Sequence, residues 1–278
     1  MATATPHRSA FLRTPLGQRI PVTERSPIER ALHAQEPTKH AGVPGPIAKP
    51  SGAIFRGLSR LRSARSFHPD GVVFEATTEI DRPPPELAGA PLLGRIGTHD
   101  AVVRLSRALG LPRPIPDVHG FAIRLVDAHG SGRHQDFLTV TSPDGAVAHH
   151  VLVPTRGFFS LPFSSLLPYR LGGTVRLVGA RAVTEPAGAG HSFTQLLETT
   201  RRRTVRFELT IATLAGRWVP IATIVLGAQV TGPDAERIRF NPWNAGGGIQ
   251  PAGPFMGLRE SAYRESQRGW SDDLRPHR

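Results

Sequence analysis

The chain has 278 residues, 39% of them hydrophobic, with 34 Lys and Arg against 22 Asp and Glu and a formal charge of +12. It holds no cysteine, which excludes disulfides, zinc thiolate sites and cysteine-ligated metal centres. No apolar run reaches the ~18 residues of a membrane span, and Met1 to Arg19 lacks the continuous apolar core of a secretory signal, so a soluble cytoplasmic protein is expected.

The basic excess raises nucleic acid as a partner. No helix-turn-helix pattern, aromatic-interleaved basic strand or glycine-arginine tract accompanies it, so nucleic acid is not the expected partner. Arg201-Arg202-Arg203 is expected to be a solvated loop or a strand start.

Residues 1–50 are rich in Pro, Thr, His and charge without sustained periodicity. They predict an extended arm with one helical turn near Ile28 to Leu32, ended by Pro44-Gly45-Pro46 and Lys49-Pro50-Ser51-Gly52. Ile54, Phe55, Leu58 and Leu61 then fall at helical spacing and predict an amphipathic helix over Ala53 to Arg65. Alternating and β-branched runs predict strands over Val72–Ile80, Ala101–Ser106, Gly120–Val126 and Asp136–Thr141, the last closed by the turn signal Ser142-Pro143-Asp144-Gly145. His149 to Arg170 carries Pro154, Pro162 and Pro168 and reads as irregular or short-helical, with Tyr169 in a loop. A second strand group follows over Thr174–Val183, Thr204–Thr213 and Arg217–Val230, where Pro220 suits an edge or a bulge.

The chemistry concentrates at the two ends of this pattern. Arg259 and Tyr263 are four residues apart, hence on one helix face. A guanidinium beside a phenol favours the phenolate, and a phenolate can ligate ferric haem. The same spacing also arises as an exposed cation–aromatic contact. Three further stretches match in order. Arg65-Ser66-Phe67-His68-Pro69-Asp70-Gly71 with Phe74-Glu75-Ala76-Thr77 resembles the distal R-x-x-H-x-x-G and F-E-x-T of the haem catalases. Val103-Arg104-Leu105-Ser106 resembles their V-R-F-S strand, and Asp117-Val118-His119-Gly120-Phe121-Ala122 their D-x-R-G-F-A strand. Phe240-Asn241-Pro242, Gly248-Ile249-Gln250-Pro251 and Arg259 to Tyr263 resemble the proximal F-x-P, G-I-x-P and R-x-x-x-Y, with one residue fewer before the Arg. Over roughly Arg65 to Arg268 the chain is therefore similar to the catalase superfamily, as a short, minimal catalase-related haem peroxidase.

That resemblance implies an α+β fold: an antiparallel β-barrel surrounded by helices. Residues 1–50 would form the arm and 51–278 one haem-binding domain with a proximal helix near 254–268, without the C-terminal helical domain of full catalases. It implies haem b, with Tyr263 as iron ligand tempered by Arg259, His68 as distal acid–base group, and Ser106 bonding the far nitrogen of His68. By the sequence alone Ser106 could equally face solvent. Arg65, Arg104 and Arg268 resemble arginines that hold haem propionates, or are solvated charges; Arg104 is the best placed, since its strand is otherwise apolar. Phe67 replaces a small residue and crowds the approach over the haem.

In Asp136-Phe137-Leu138-Thr139-Val140-Thr141-Ser142-Pro143 the family's two asparagines are replaced by Val140 and Thr141, with Thr141 expected in roughly the place of the one that orients a second peroxide. The expected activity is a peroxidase acting on hydrogen peroxide or organic hydroperoxides with a small electron donor, with weak catalase activity. The alternatives are a fatty-acid hydroperoxide isomerase of allene oxide synthase type, a non-catalytic haem-binding protein, and a haem-free basic barrel. Family arms wrap neighbouring subunits, so a homo-oligomer (dimer or tetramer) is expected.

Overall fold

The computed structural model describes residues 10–13, 19–22, 25–33, 71–108, 110–112, 114–183 and 190–252. The first part holds a hairpin of β1 (Ala10–Arg13) and β2 (Arg19–Val22), then the helix α1 (Pro27–Leu32). The helical turn is where the sequence predicts it. Ser26 opens it with a capping box: its hydroxyl accepts from Glu29 N while Glu29 accepts from Ser26 N. The hairpin was not expected, since each strand is only four residues long and carries no readable alternation.

Next come β3 (Gly71–Ile80), a 3-10 turn at Pro85–Leu87, the short helix α2 (Pro91–Gly94), β4 (Gly97–Arg107), β5 (His119–Leu125) and β6 (Gln135–Thr141). After a second 3-10 turn, Ala148–His150, follow β7 (Phe163–Ser164), β8 (Tyr169–Leu171) and β9 (Thr174–Ala182). The chain continues through helix α3 (Phe193–Arg202), β10 (Arg206–Ala212), β11 (Val219–Val230), helix α4 (Pro233–Arg237) and β12 (Ile249–Pro251).

Eight of these strands, β10-β11-β3-β4-β5-β6-β7-β9, pair antiparallel in that order, and β9 pairs back onto β10, which closes a barrel. Closure leaves those strands no free edge in the ring. β8 and β12 extend from the far end of β9.

Period-two alternation decides which face is core. Phe74, Ala76 and Ile80 on β3, Ala101, Val103 and Leu105 on β4, and Phe121, Ile123 and Leu125 on β5 point inward with Phe137, Phe163 and Phe207. Phe121 sits at the centre of this aromatic core, its ring 5.5 Å from Phe163 and 4.9 Å from Phe207. Val73 and Val102 alternate outward, where Ile28 and Ala31 of α1 and Ile238 cover them.

The bulge expected at Pro220 is present: the β10–β11 register slips between Leu209 and Thr210, and Thr210 faces Pro220. Two local readings are corrected. Arg201 and Arg202 end α3 rather than starting a strand. Ser192 caps that helix by accepting from Gln195 N, and cations in its last turn suit the negative end of the helix dipole. Tyr169 is a fully buried strand residue, packed edge-on to Phe137 at 5.4 Å. Among the described residues no helix is long and apolar enough to cross a membrane.

Candidate functional site

The V-R-L-S strand splits its side chains between two faces. Val103 and Leu105 enter the core, whereas Arg104 and Ser106 lie together on the outer wall. Strand register extends that wall. Gly71, Ser106, Gly120 and Val140 form one row across β3 to β6, and Val73, Arg104, Ala122 and Leu138 the row beside it. Ser106 is 5% exposed, so of its two sequence readings the solvent-facing one falls. The Arg104 guanidinium lies over Gly71, where a Cβ would meet its Nε at 2.7 Å. Burial works against the charge of Arg104, and the positive field of Arg239 adds to that. Burial likewise lowers the pKa of Arg239. Nothing in the residue pattern singles out Arg239 among so many arginines; its nearness to Arg104 is a product of folding.

The wall ends below at a buried ion pair. Arg124 of β5 grips Asp136 of β6 through Nε and Nη2, and also donates to the carbonyls of Ala31 and Arg239. Asp136 accepts in addition from Asn241 N at 2.8 Å and Asn244 Nδ2 at 2.9 Å, and Phe240 lies 5.5 Å beneath the Arg124 guanidinium. The Phe-Asn-Pro segment is thereby bolted to the wall at the row beside that of Arg104.

Beyond it, Gly248 takes φ +82, its carbonyl accepts from Gly172 N at 2.8 Å, and Ile249 to Pro251 pairs with β8. Only glycine fits there: a Cβ would stand 2.2 Å from the Gly89 carbonyl oxygen. The G-I-x-P element is thus a strand-forming junction held against β8 and Gly89.

Thr141 is a correction. It is fully buried on the core face, its hydroxyl donating to Val153 O at 2.8 Å and accepting from His119 N at 3.1 Å. The residue that shares the face of Ser106 is Val140, because a one-residue step along a strand reverses the side chain. His119, the second histidine of interest, is also on the core face, opposite Arg107 and packed edge-on to Phe158 at 4.4 Å. Asp117, just before it, is 1% exposed, meets Arg107 at 3.3 Å and accepts from Leu111 N, so it fixes the β4–β5 loop.

Arg65, Phe67, His68, Arg259, Tyr263 and Arg268 lie outside the described residues. Among the described residues no group of three or more histidines and carboxylates could hold a metal ion.

No protein-family model matches the chain, and no curated protein does. Solved structures do. A bacterial catalase superposes with a TM-score of 0.53 at 13% identity, over 95% of this chain and 67% of that one. A crystal structure of a fungal catalase superposes with a TM-score of 0.54 at 14% identity, over 96% and 70%. The fold is therefore that of the catalase barrel.

Proposed function

We propose that this chain is a haem-dependent peroxidase, reducing hydrogen peroxide or organic hydroperoxides with a small electron donor, with weak catalase activity beside it. The observation that carries the reading is the pairing of Arg104 and Ser106 on one outer face of a catalase-like barrel. Haem presents a flat apolar ring with two carboxylates. Ala122, Leu138 and Val140 offer an aliphatic wall, and Arg104 a cation at its edge, so the described residues fit the group. When bound, haem supplies the redox centre at which the peroxide O–O bond is cleaved.

The chain's own residues have distinct parts in this reading. Arg104, with Arg65 and Arg268, binds the propionates, guanidinium to carboxylate. Tyr263 holds the iron through its phenolate, and Arg259 donates a hydrogen bond to that oxygen. His68 takes the proton from one peroxide oxygen and returns it to the departing one. Ser106 bonds the far nitrogen of His68 and so fixes which nitrogen is free to do this.

The test is reconstitution with haem. A Soret band and turnover of a hydroperoxide with a phenolic donor are expected, and Tyr263→Phe should abolish stable ferric haem binding or shift its bands. Unchanged spectra in that variant remove Tyr263 as the ligand, and a wild-type protein with no Soret band removes the reading. The product separates the chemistries: a peroxidase yields the alcohol, an isomerase a rearranged epoxide. His68→Ala should keep the haem and slow the peroxide reaction by about two to four orders of magnitude.

A further inference from the structure

The row of Ser106 does not end at Val140. Val140 pairs with Ser164 of β7 and Ser164 with Gly179 of β9, so the outer wall runs two strands further. There it is covered. Ser164 donates to His149 O at 2.6 Å, and the Trp218 indole lies across Gly179, where a Cβ would meet its ring at 2.8 Å. His149 is fully buried and packs edge-on to Trp218, with ring centres 5.2 Å apart. Its Nε2 faces Leu214 O at 3.2 Å, so the neutral ring carries its proton there and Nδ1 keeps a lone pair. Burial lowers the pKa of His149 against the pull of that hydrogen bond, which favours the neutral ring. His149 Nδ1 and the Trp218 Nε1–H are both buried, and among the described residues neither has a hydrogen-bond partner. An open donor and an open acceptor in two touching rings carry a cost that packing alone does not explain. The indole is only half-buried, and the segments that carry the two rings expose Val147, Val151, Leu214 and Val219 at 47–67%.

We infer that Trp218 is a surface site at which bulky phenols are oxidised, passing their electrons to the haem centre without entering the haem pocket. The inference rests on the peroxidase reading above and names where its electron donor reacts. Two strand spacings set the indole roughly 10 Å along the wall from Val140. An indole is an electron-rich ring, and the exposed valines and leucine give the ring of a donor an apolar seat. Tyr169 cannot serve, because it is sealed in the core against Phe137. In the reaction Trp218 loses one electron to the haem centre and its Nε1 proton to His149 Nδ1. A phenol then gives the indole one electron and its O–H proton and leaves as a phenoxyl radical, and His149 releases its proton to water. Two phenols in turn supply the two electrons that, with two protons, turn ROOH into ROH and water.

The experiment offers the haem-loaded protein one phenol in two sizes, free tyramine and tyramine coupled to dextran, and compares wild type with Trp218→Phe and Trp243→Phe. A second readout needs no donor: peroxide is added with a nitroso spin trap, and the trapped adduct is located by peptide mass spectrometry. Wild type should oxidise both forms and carry the adduct on Trp218. Trp218→Phe should keep the Soret band but lose at least about tenfold in kcat/KM for the tethered phenol relative to the free one. Trp243→Phe should keep the wild-type ratio. A tethered phenol that wild type leaves untouched overturns the inference. So does a ratio that Trp218→Phe leaves unchanged or Trp243→Phe shifts as far, or an adduct found only elsewhere. In each of these cases oxidation of free tyramine leaves the peroxidase reading standing. A protein that binds haem and oxidises neither form overturns both.

Discussion

Arg124 on β5 and Asp136 on β6 stand directly opposite each other in the ladder and are joined by two hydrogen bonds, of 2.8 and 2.7 Å. Both are buried, at 3% and 0% exposure, and between them they hold Ala31 of α1 and residues 239–244 to the barrel. One pair thus sets the position of two segments remote in sequence. Asp136→Asn keeps the shape and removes the charge, leaving Arg124 buried without its counter-ion. The expected loss is about 3–5 kcal/mol of unfolding free energy, read from urea denaturation. A loss under about 1 kcal/mol would show that Arg124 finds other compensation.

Gly248→Ala should be among the most damaging single-methyl changes in the chain. Its φ of +82 strains any L side chain, and the new Cβ meets backbone, the Gly89 carbonyl, which cannot swing away. A loss of at least about 2 kcal/mol is expected, together with faster amide exchange at Gly172, whose N–H donates to Gly248 O. Unchanged exchange there would mean the junction is not what β12 needs.

Gly71→Ala makes the contrast. The nearest atoms to its Cβ belong to the Arg104 guanidinium, a flexible side chain that can move. Thermal stability should hardly change, while displacement of the guanidinium should weaken haem affinity by about tenfold, one charge-assisted contact's worth. Haem titration of the two proteins measures this; equal affinity would take Arg104 away from the propionates.

His134 predicts a pH dependence of stability. Asp127 N donates to its Nδ1 at 3.0 Å, so the neutral ring carries its proton on Nε2. Burial lowers its pKa first, and Arg124 and Arg30 add to this against the opposing fields of Asp136 and Asp127. Below the ordinary histidine value of about 6.5 the unfolded ring takes up a proton that the folded ring refuses. Stability contributed by the neutral ring is therefore full above that pH and falls as the pH drops toward the folded pKa. His134→Asn, whose amide oxygen can replace Nδ1 as acceptor, should flatten the fall between pH 6.5 and 5 in urea midpoints. His99, His129 and His149 are lowered by burial too, so part of the slope remains. An undiminished slope in the variant would place the effect on those three.

The sequence by itself determined the long strands and the inward turn of their aromatic residues, because two-residue alternation is a local property that each strand carries alone. It also placed Arg104 and Ser106 on one face, since both lie on β4 at even spacing. The capped turn of α1 and the bulge at Pro220 were legible for the same reason: each depends on neighbours in the chain. What only the tertiary structure decided concerns relations between strands. Whether Val140 or Thr141 shares the wall of Ser106 depends on the β4–β5 and β5–β6 registers, which no single strand encodes. Arg239 comes near Arg104 only because Asp136 captures Asn241 and Asn244 from 105 and 108 residues away. The two-residue β7, too short to show a period, belongs to the barrel because β6 and β9 flank it and need a strand between them.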